Sequence, residues 1–170
     1  MRDSRAQVLF QSKVKDIAEL APLAAELKAS GRKIVFTNGC FDILHYGHAL
    51  YLQQAAALGD LLVVGINTDA SVRRLKGKNR PVVAQQYRAA LVAALQSVDF
   101  VVLFDEDTPY GLIKALKPDV LVKGGDWRKE DIVGSDIVEA GGGRVAALDF
   151  VEGFSTSSII DKIVQSLAKQ

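Results

Sequence analysis

The chain has 170 residues, 49% of them apolar and 24% charged, with a formal net charge of +1. That size suits one domain with a sizeable core, and the near-neutral balance gives no reason to expect a nucleic-acid partner. Cys40 is the only cysteine, which excludes an intrachain disulfide and a zinc-ribbon spacing. The N-terminus lacks the apolar region of a signal peptide, and no run approaches the roughly 18 apolar residues of a membrane span. A cytoplasmic protein without a membrane partner is the expectation.

Residues 1–12 read as a flexible N-terminus ahead of a single domain over 13–170. Ile17, Leu20, Ala21, Ala24 and Leu27 follow helical spacing, with Ser12 as a candidate N-cap and Gly31 as a stop. The chain then alternates. Strand-like runs at 33–37, 61–66, 100–104, 119–122 and 144–149 are separated by helical patterns near 48–58, 69–75, 86–97, 109–116 and 131–140. A closing helix carries Ile160, Ile163, Val164 and Leu167 on one stripe. The runs at 61–66 and 100–104 are apolar throughout, as expected of strands buried on both faces. The pattern predicts an α/β fold: a Rossmann-like, doubly wound, parallel five-stranded sheet with an N-terminal helix.

Sheets of this kind bind ligands beyond the carboxyl ends of their strands. The segments just after the strands are therefore where chemistry is sought. Neither G-x-G-x-x-G after the first strand nor G-x-x-x-x-G-K-[ST] occurs, which argues against a dehydrogenase or a P-loop kinase. In their place stands Thr37-Asn38-Gly39-Cys40-Phe41-Asp42-Ile43-Leu44-His45-Tyr46-Gly47-His48, holding both histidines of the protein. Gly39 permits a tight turn or a close backbone approach, and Gly47 clears a helix start where free N–H groups favour a phosphate. His45 and His48 can donate to charge that grows during phosphoryl or nucleotidyl transfer. Incidental surface or cap histidines are the plainer alternative, and a metal site with Asp42 as third ligand a weaker one.

Further along, Arg73, Arg74, Lys76, Lys78 and Arg80 crowd one short segment, a pattern that is commonly solvated surface. Lys123-Gly124-Gly125-Asp126-Trp127 ends the fourth strand, where the glycines let backbone approach a base or ribose and Lys123 can hold a phosphate. Trp127, more often a packing residue, can wall the site. Ser155, Thr156, Ser157 and Ser158 form an N-cap cluster that opens the last helix and leaves hydroxyls for further phosphates. Cys40 reads as a small buried filler.

The string N-G-C-F-D-x-L-H-x-G-H resembles the HIGH-type signature of the cytidylyltransferase-like nucleotidyltransferases, and Phe154 to Ile159 resembles their second signature. The family joins a nucleoside triphosphate to a phosphate-bearing acceptor on a Rossmann-like sheet. The resemblance implies catalytic roles for His45, His48, Lys76 and Lys78. It implies nucleotide contacts from Thr37, Asn38, Gly39, Phe41, Gly47, Arg88, Lys123, Gly125, Asp126, Ser155, Thr156 and Ser157. Asp42 and Trp127 are expected near the sugar phosphate or Mg²⁺, with no dedicated protein metal site. The segments R-P-V-V, S-V-D-F-V-V-L-F-D-E-D-T-P and K-P-D-V-L-V-K-G-G-D look like heptose 1-phosphate nucleotidyltransferases, here as a domain without the kinase that many members carry.

That likeness implies ATP with Mg²⁺ and a heptose 1-phosphate acceptor; the prior for soluble proteins adds a homodimer. A GTP-dependent relative, a glycerol-3-phosphate-type cytidylyltransferase and a non-catalytic adenylate-binding module are the alternatives. Phe150-Val151 stands where the glycerol-3-phosphate enzymes carry an arginine. Gln85-Gln86-Tyr87 replaces the acidic residues that heptose enzymes often place before the arginine matched by Arg88.

Overall fold

The computed structural model describes residues 10–125, 131–149 and 153–168. Its strands are β1 (Val14–Lys15), β2 (Ile34–Gly39), β3 (Leu61–Asn67), β4 (Phe100–Phe104), β5 (Val120–Gly124) and β6 (Arg144–Leu148). They form one sheet in the order β1-β4-β3-β2-β5-β6, with every pairing parallel. The helices are α1 (Ile17–Ala29), α2 (Tyr46–Ala56), α3 (Asp69–Lys76), α4 (Gln85–Ala93), α5 (Tyr110–Leu116), α6 (Ser135–Ala140) and α7 (Thr156–Leu167).

The apolar runs make the central strands. Val35, Val64, Ile66, Val101 and Val120 pack on one face against Leu52 and Ala55 of α2 and Ala89 and Val92 of α4. Ile34, Phe36, Val63, Val102 and Leu121 pack on the other against Leu20 and Ala24 of α1, Ile113 of α5 and Val138 of α6. Successive strand residues thus alternate between two cores, so nearly every position must be apolar.

Two expectations change. The sheet has a sixth strand, β1, which joins its edge through Val14↔Val101 and Lys15↔Val102. Ser12 does not cap α1; the Asp16 carboxylate does, accepting from Glu19 N at 2.8 Å. Within the segment 1–12, Phe10 packs against the core, while residues 1–9 lie outside the described part.

The topology positions the site. From β2 the chain steps outward to β3 and β4, then returns to the other side of β2 for β5 and β6. The order reverses between β2 and β5, and the crevice at their carboxyl ends is where such sheets take ligands.

Candidate active site

A cleft of about 700 Å³ opens there, within the range of small-molecule sites. Its floor is the turn after β2. Phe41 sits in the left-handed region at φ 46, a conformation that costs a non-glycine residue about 1 kcal/mol. Its ring packs edge-on against His48, centroids 5.0 Å apart, so the unusual backbone turn comes with a contact to the catalytic candidate.

His45 is the N-cap of α2, and its Nδ1 accepts from His48 N at 3.4 Å. The two imidazoles stack, with centroids 3.8 Å apart and planes 20° from parallel. Gly47 makes this possible: a Cβ there would lie 3.2 Å from His45 Cε1 and Nδ1 and from Phe154 Cβ. Burial pushes the His48 pKa down to about 4, helped by the neighbouring charge of His45 and opposed by the Ile43 carbonyl. Burial also lowers that of His45. Both shifts favour the uncharged imidazole at neutral pH. His48 Nδ1 is buried without a hydrogen-bond partner among the described residues. Buried polar atoms rarely stay unpaired, so this orphan marks a place for a ligand atom or water.

Tyr46 and Phe154 bring a second helix start alongside, their rings 5.3 Å apart. Ser155 caps α7 through a reciprocal box: its hydroxyl accepts from Ser158 N at 3.0 Å, and Ser158 Oγ accepts from Ser155 N at 3.1 Å. Ser155, Thr156 and Ser157 line the cleft, as do Asn38, Gly39, Phe41, Gly47, His45, His48, Lys76 and Lys123. Lys123 precedes Gly124, the last residue of β5, and burial lowers its pKa. Cys40 is half-buried in the cleft wall rather than in the core, and burial raises its thiol pKa.

Four sequence-based assignments land elsewhere. Arg88 is fully buried and does not reach the cleft. Its Nε donates to Val83 O at 2.8 Å, Nη1 to Cys40 O at 2.5 Å, and Nη2 to Asn67 O and Asp69 Oδ1, both at 2.8 Å. All three nitrogens donate to the protein's own chain, so Arg88 braces the framework around the cleft. Thr37 is also fully buried, its hydroxyl 2.6 Å from Tyr51 OH, and Tyr51 rather than Thr37 meets the cleft. Lys78 is exposed and does not line the cleft. Gly125 donates its N–H to Leu148 O at 2.8 Å and tightens the end of β5; Gly124 is the glycine in the cleft wall.

Asp42 does line the cleft, but its carboxylate is occupied. Oδ2 accepts from Arg80 Nε at 2.5 Å, and Oδ1 from Val82 N at 2.7 Å and Val83 N at 3.0 Å. Burial raises its pKa, yet the bonds from Val83, Arg80 and Val82 outweigh burial and leave it low. Asp42, assigned from sequence to the neighbourhood of the sugar phosphate or Mg²⁺, here anchors the segment Arg80 to Val83. Asp126 and Trp127 lie outside the described residues.

The basic run divides by partner. Arg74 pairs with Asp107 at 2.8 Å and with Asp105 at 3.6 Å, tying α3 to the loop after β4. Arg80 and Lys76 line the cleft. Sequence reasoning also missed Tyr51, Asn67, Thr108 and Ile132 as cleft residues. Asn67 ends β3 and Thr108 comes after β4, so the rule of the carboxyl edge was the available signal for both.

The cytidylyltransferase-like family profile matches residues 36–162. The chain belongs to the cytidylyltransferase-like family. It is 58% identical over 155 residues to the bifunctional protein HldE of Citrifermentans bemidjiense, covering 91% of this chain and 32% of that protein. The HldE of Geobacter metallireducens is 55% identical, covering 94% and 32%. The chain thus spans about a third of the length of the curated relatives it matches.

Among solved structures, the lipopolysaccharide core biosynthesis protein of Thermoplasma volcanium is similar at 32% identity and a TM-score of 0.58, over 71% of this chain and 98% of that one. The pantoate-beta-alanine ligase of Francisella tularensis shares the fold alone, with 14% identity and a TM-score of 0.57 over 92% and 79% of the two chains. Among the described residues, no helix is long and apolar enough to cross a membrane.

Proposed function

We propose that the protein transfers AMP from ATP to D-glycero-D-manno-heptose 1-phosphate, releasing pyrophosphate and giving ADP-heptose for lipopolysaccharide core synthesis. The observation that carries the chemistry is the stacked His45–His48 pair in a cleft that the first turn of α7 also lines. Support for the acceptor comes from the extended likeness to HldE proteins and to a lipopolysaccharide core biosynthesis protein.

In this reaction a phosphate oxygen of the sugar attacks the α-phosphorus, and the bond from that phosphorus to the β-phosphate bridging oxygen breaks. A phosphate monoester is already ionised at neutral pH, so no general base is required. The protein's contribution is positioning and stabilisation of spreading negative charge. Neutral His45 and His48 each offer one N–H, and a phosphate beside them raises their affinity for a second proton. Lys76 and Lys123 add positive charge, while Thr156 and Ser157 meet the outgoing pyrophosphate.

ATP enters as its Mg²⁺ complex, the ion carried by the nucleotide's own oxygens. Among the described residues no cluster of three or more histidine, cysteine or carboxylate side chains is placed to hold a metal, and both Asp42 oxygens are engaged.

The test is pyrophosphate release with ATP, GTP or CTP against each heptose 1-phosphate anomer and glycerol 3-phosphate. Turnover confined to ATP and a heptose phosphate is expected. Turnover with CTP and glycerol 3-phosphate instead would replace the substrate assignment. Nucleotide binding without release in any combination would point to an adenylate-binding module.

A further inference from the structure

Two arginines flank the turn that carries the histidines, and they are used differently. Arg88 spends all three of its nitrogens on the protein itself. The Arg80 side chain makes one hydrogen bond, Nε to Asp42 Oδ2 at 2.5 Å, and is 17% exposed. Among the described residues neither Nη1 nor Nη2 of Arg80 makes a hydrogen bond, and the residue lines the cleft. A guanidinium fixed at Nε retains the edge formed by its two terminal nitrogens, the geometry that takes two oxygens of a phosphate or carboxylate.

Asp42 is equipped to hold that edge still. Its second oxygen clamps the backbone N–H groups of Val82 and Val83, just beyond Arg80. With the backbone pinned on one side and Nε on the other, little rotamer freedom is left for a ligand to freeze out. A surface arginine would lose several free torsions on binding an anion. This one has already lost most of them on folding.

We infer that Arg80 binds a phosphate group of a substrate through Nη1 and Nη2, and that Asp42 is the residue that positions it. The inference rests on the nucleotidyl-transfer reading only for which phosphate is meant, the nucleotide's or the acceptor's. Its basis is the unused donor edge in the cleft, which any phosphate can report.

The experiment is calorimetric titration of the wild type, Arg80→Gln, Arg80→Lys and Asp42→Asn with ATP, with heptose 1-phosphate and with inorganic phosphate. Melting temperatures and the salt dependence of each affinity are recorded alongside. Arg80→Gln is expected to weaken at least one of these ligands by about tenfold or more, the worth of a charge-assisted hydrogen bond. It is also expected to flatten the salt dependence for that ligand, which a purely structural role would leave unchanged. Loss confined to ATP assigns the edge to the triphosphate; loss confined to the sugar phosphate assigns it to the acceptor. Arg80→Lys, keeping the charge without the fork, falls between, and serves if Arg80→Gln does not fold.

Asp42→Asn is expected to weaken the same ligand as Arg80→Gln, and by less. Affinities within twofold of wild type for all three ligands in Arg80→Gln, with the salt dependence unchanged, overturn the inference. Phosphate binding that depends on Arg80, in a protein that releases no pyrophosphate, would leave the inference standing and sink only the transfer reaction.

Discussion

The guanidinium of Arg88, in α4, donates to the backbone carbonyl of Cys40 at 2.5 Å, inside the turn that presents His45 and His48. The same side chain bonds the carbonyls that end β3 and precede α4, at Asn67 and Val83. One buried cation therefore fixes the relative positions of three chain segments around the cleft without lining it.

Replacing Arg88 with alanine removes a donor from each of those three carbonyls and from Asp69. The expected cost is about 3–5 kcal/mol, against a total stability of about 5–15 kcal/mol for a domain. Urea denaturation measures it. Arg88→Lys should recover only part, because an ammonium cannot span acceptors laid out for a planar fork. A loss below about 1 kcal/mol in the alanine variant would contradict the framework role.

Gly47→Ala separates activity from stability. The added Cβ meets His45 ring atoms and Phe154 Cβ at 3.2 Å, so the imidazole must shift by a few tenths of an ångström. Alanine is the better helix former by about 1 kcal/mol, which opposes any loss of stability. The expected outcome is a kcat lowered about tenfold to hundredfold with a melting temperature near or above wild type, since small misplacements of catalytic groups are costly. Steady-state kinetics together with thermal denaturation read both quantities.

The histidine pair makes stability depend on pH. His48 has a folded-state pKa of about 4 against 6.5 for an unperturbed imidazole. Between those values the unfolded chain binds more protons than the folded one, so stability rises with pH across that interval. The contribution is complete above pH 6.5 and is lost as pH falls toward 4. Denaturant midpoints compared between about pH 7 and about pH 4.5 should therefore drop more in the wild type than in His48→Gln. Equal drops would mean that His48 titrates normally in the folded protein.

The sequence revealed much of the frame for a physical reason. Leu61 to Ile66 and Phe100 to Phe104 sit between two cores, and uninterrupted apolarity is the trace that burial leaves on a strand. Strand β1 left no trace: Val14–Lys15 is too short to show a period and becomes a strand only by pairing with β4.

The same division holds in the site. Gly47 between two histidines is local and readable, whereas the partners of Arg88 are backbone carbonyls from three separate segments, invisible in any spacing. Within the basic run, Lys78 and Arg80 look alike in sequence. Asp42, 38 positions earlier, holds Arg80 in the cleft, and that is a fact of tertiary structure.

If His45 and His48 stabilise nucleotidyl transfer from ATP to a heptose 1-phosphate, the rate of pyrophosphate release must depend on them. The most direct measurement is that rate with MgATP and D-glycero-D-manno-heptose 1-phosphate, for wild type and His48→Ala side by side. Turnover is expected in the wild type, with a loss of about 3 kcal/mol of transition-state stabilisation in the variant, more than about a hundredfold in kcat. Wild-type turnover with an unchanged kcat in His48→Ala would contradict the histidine role. No pyrophosphate from the wild type with either anomer would contradict the reaction itself.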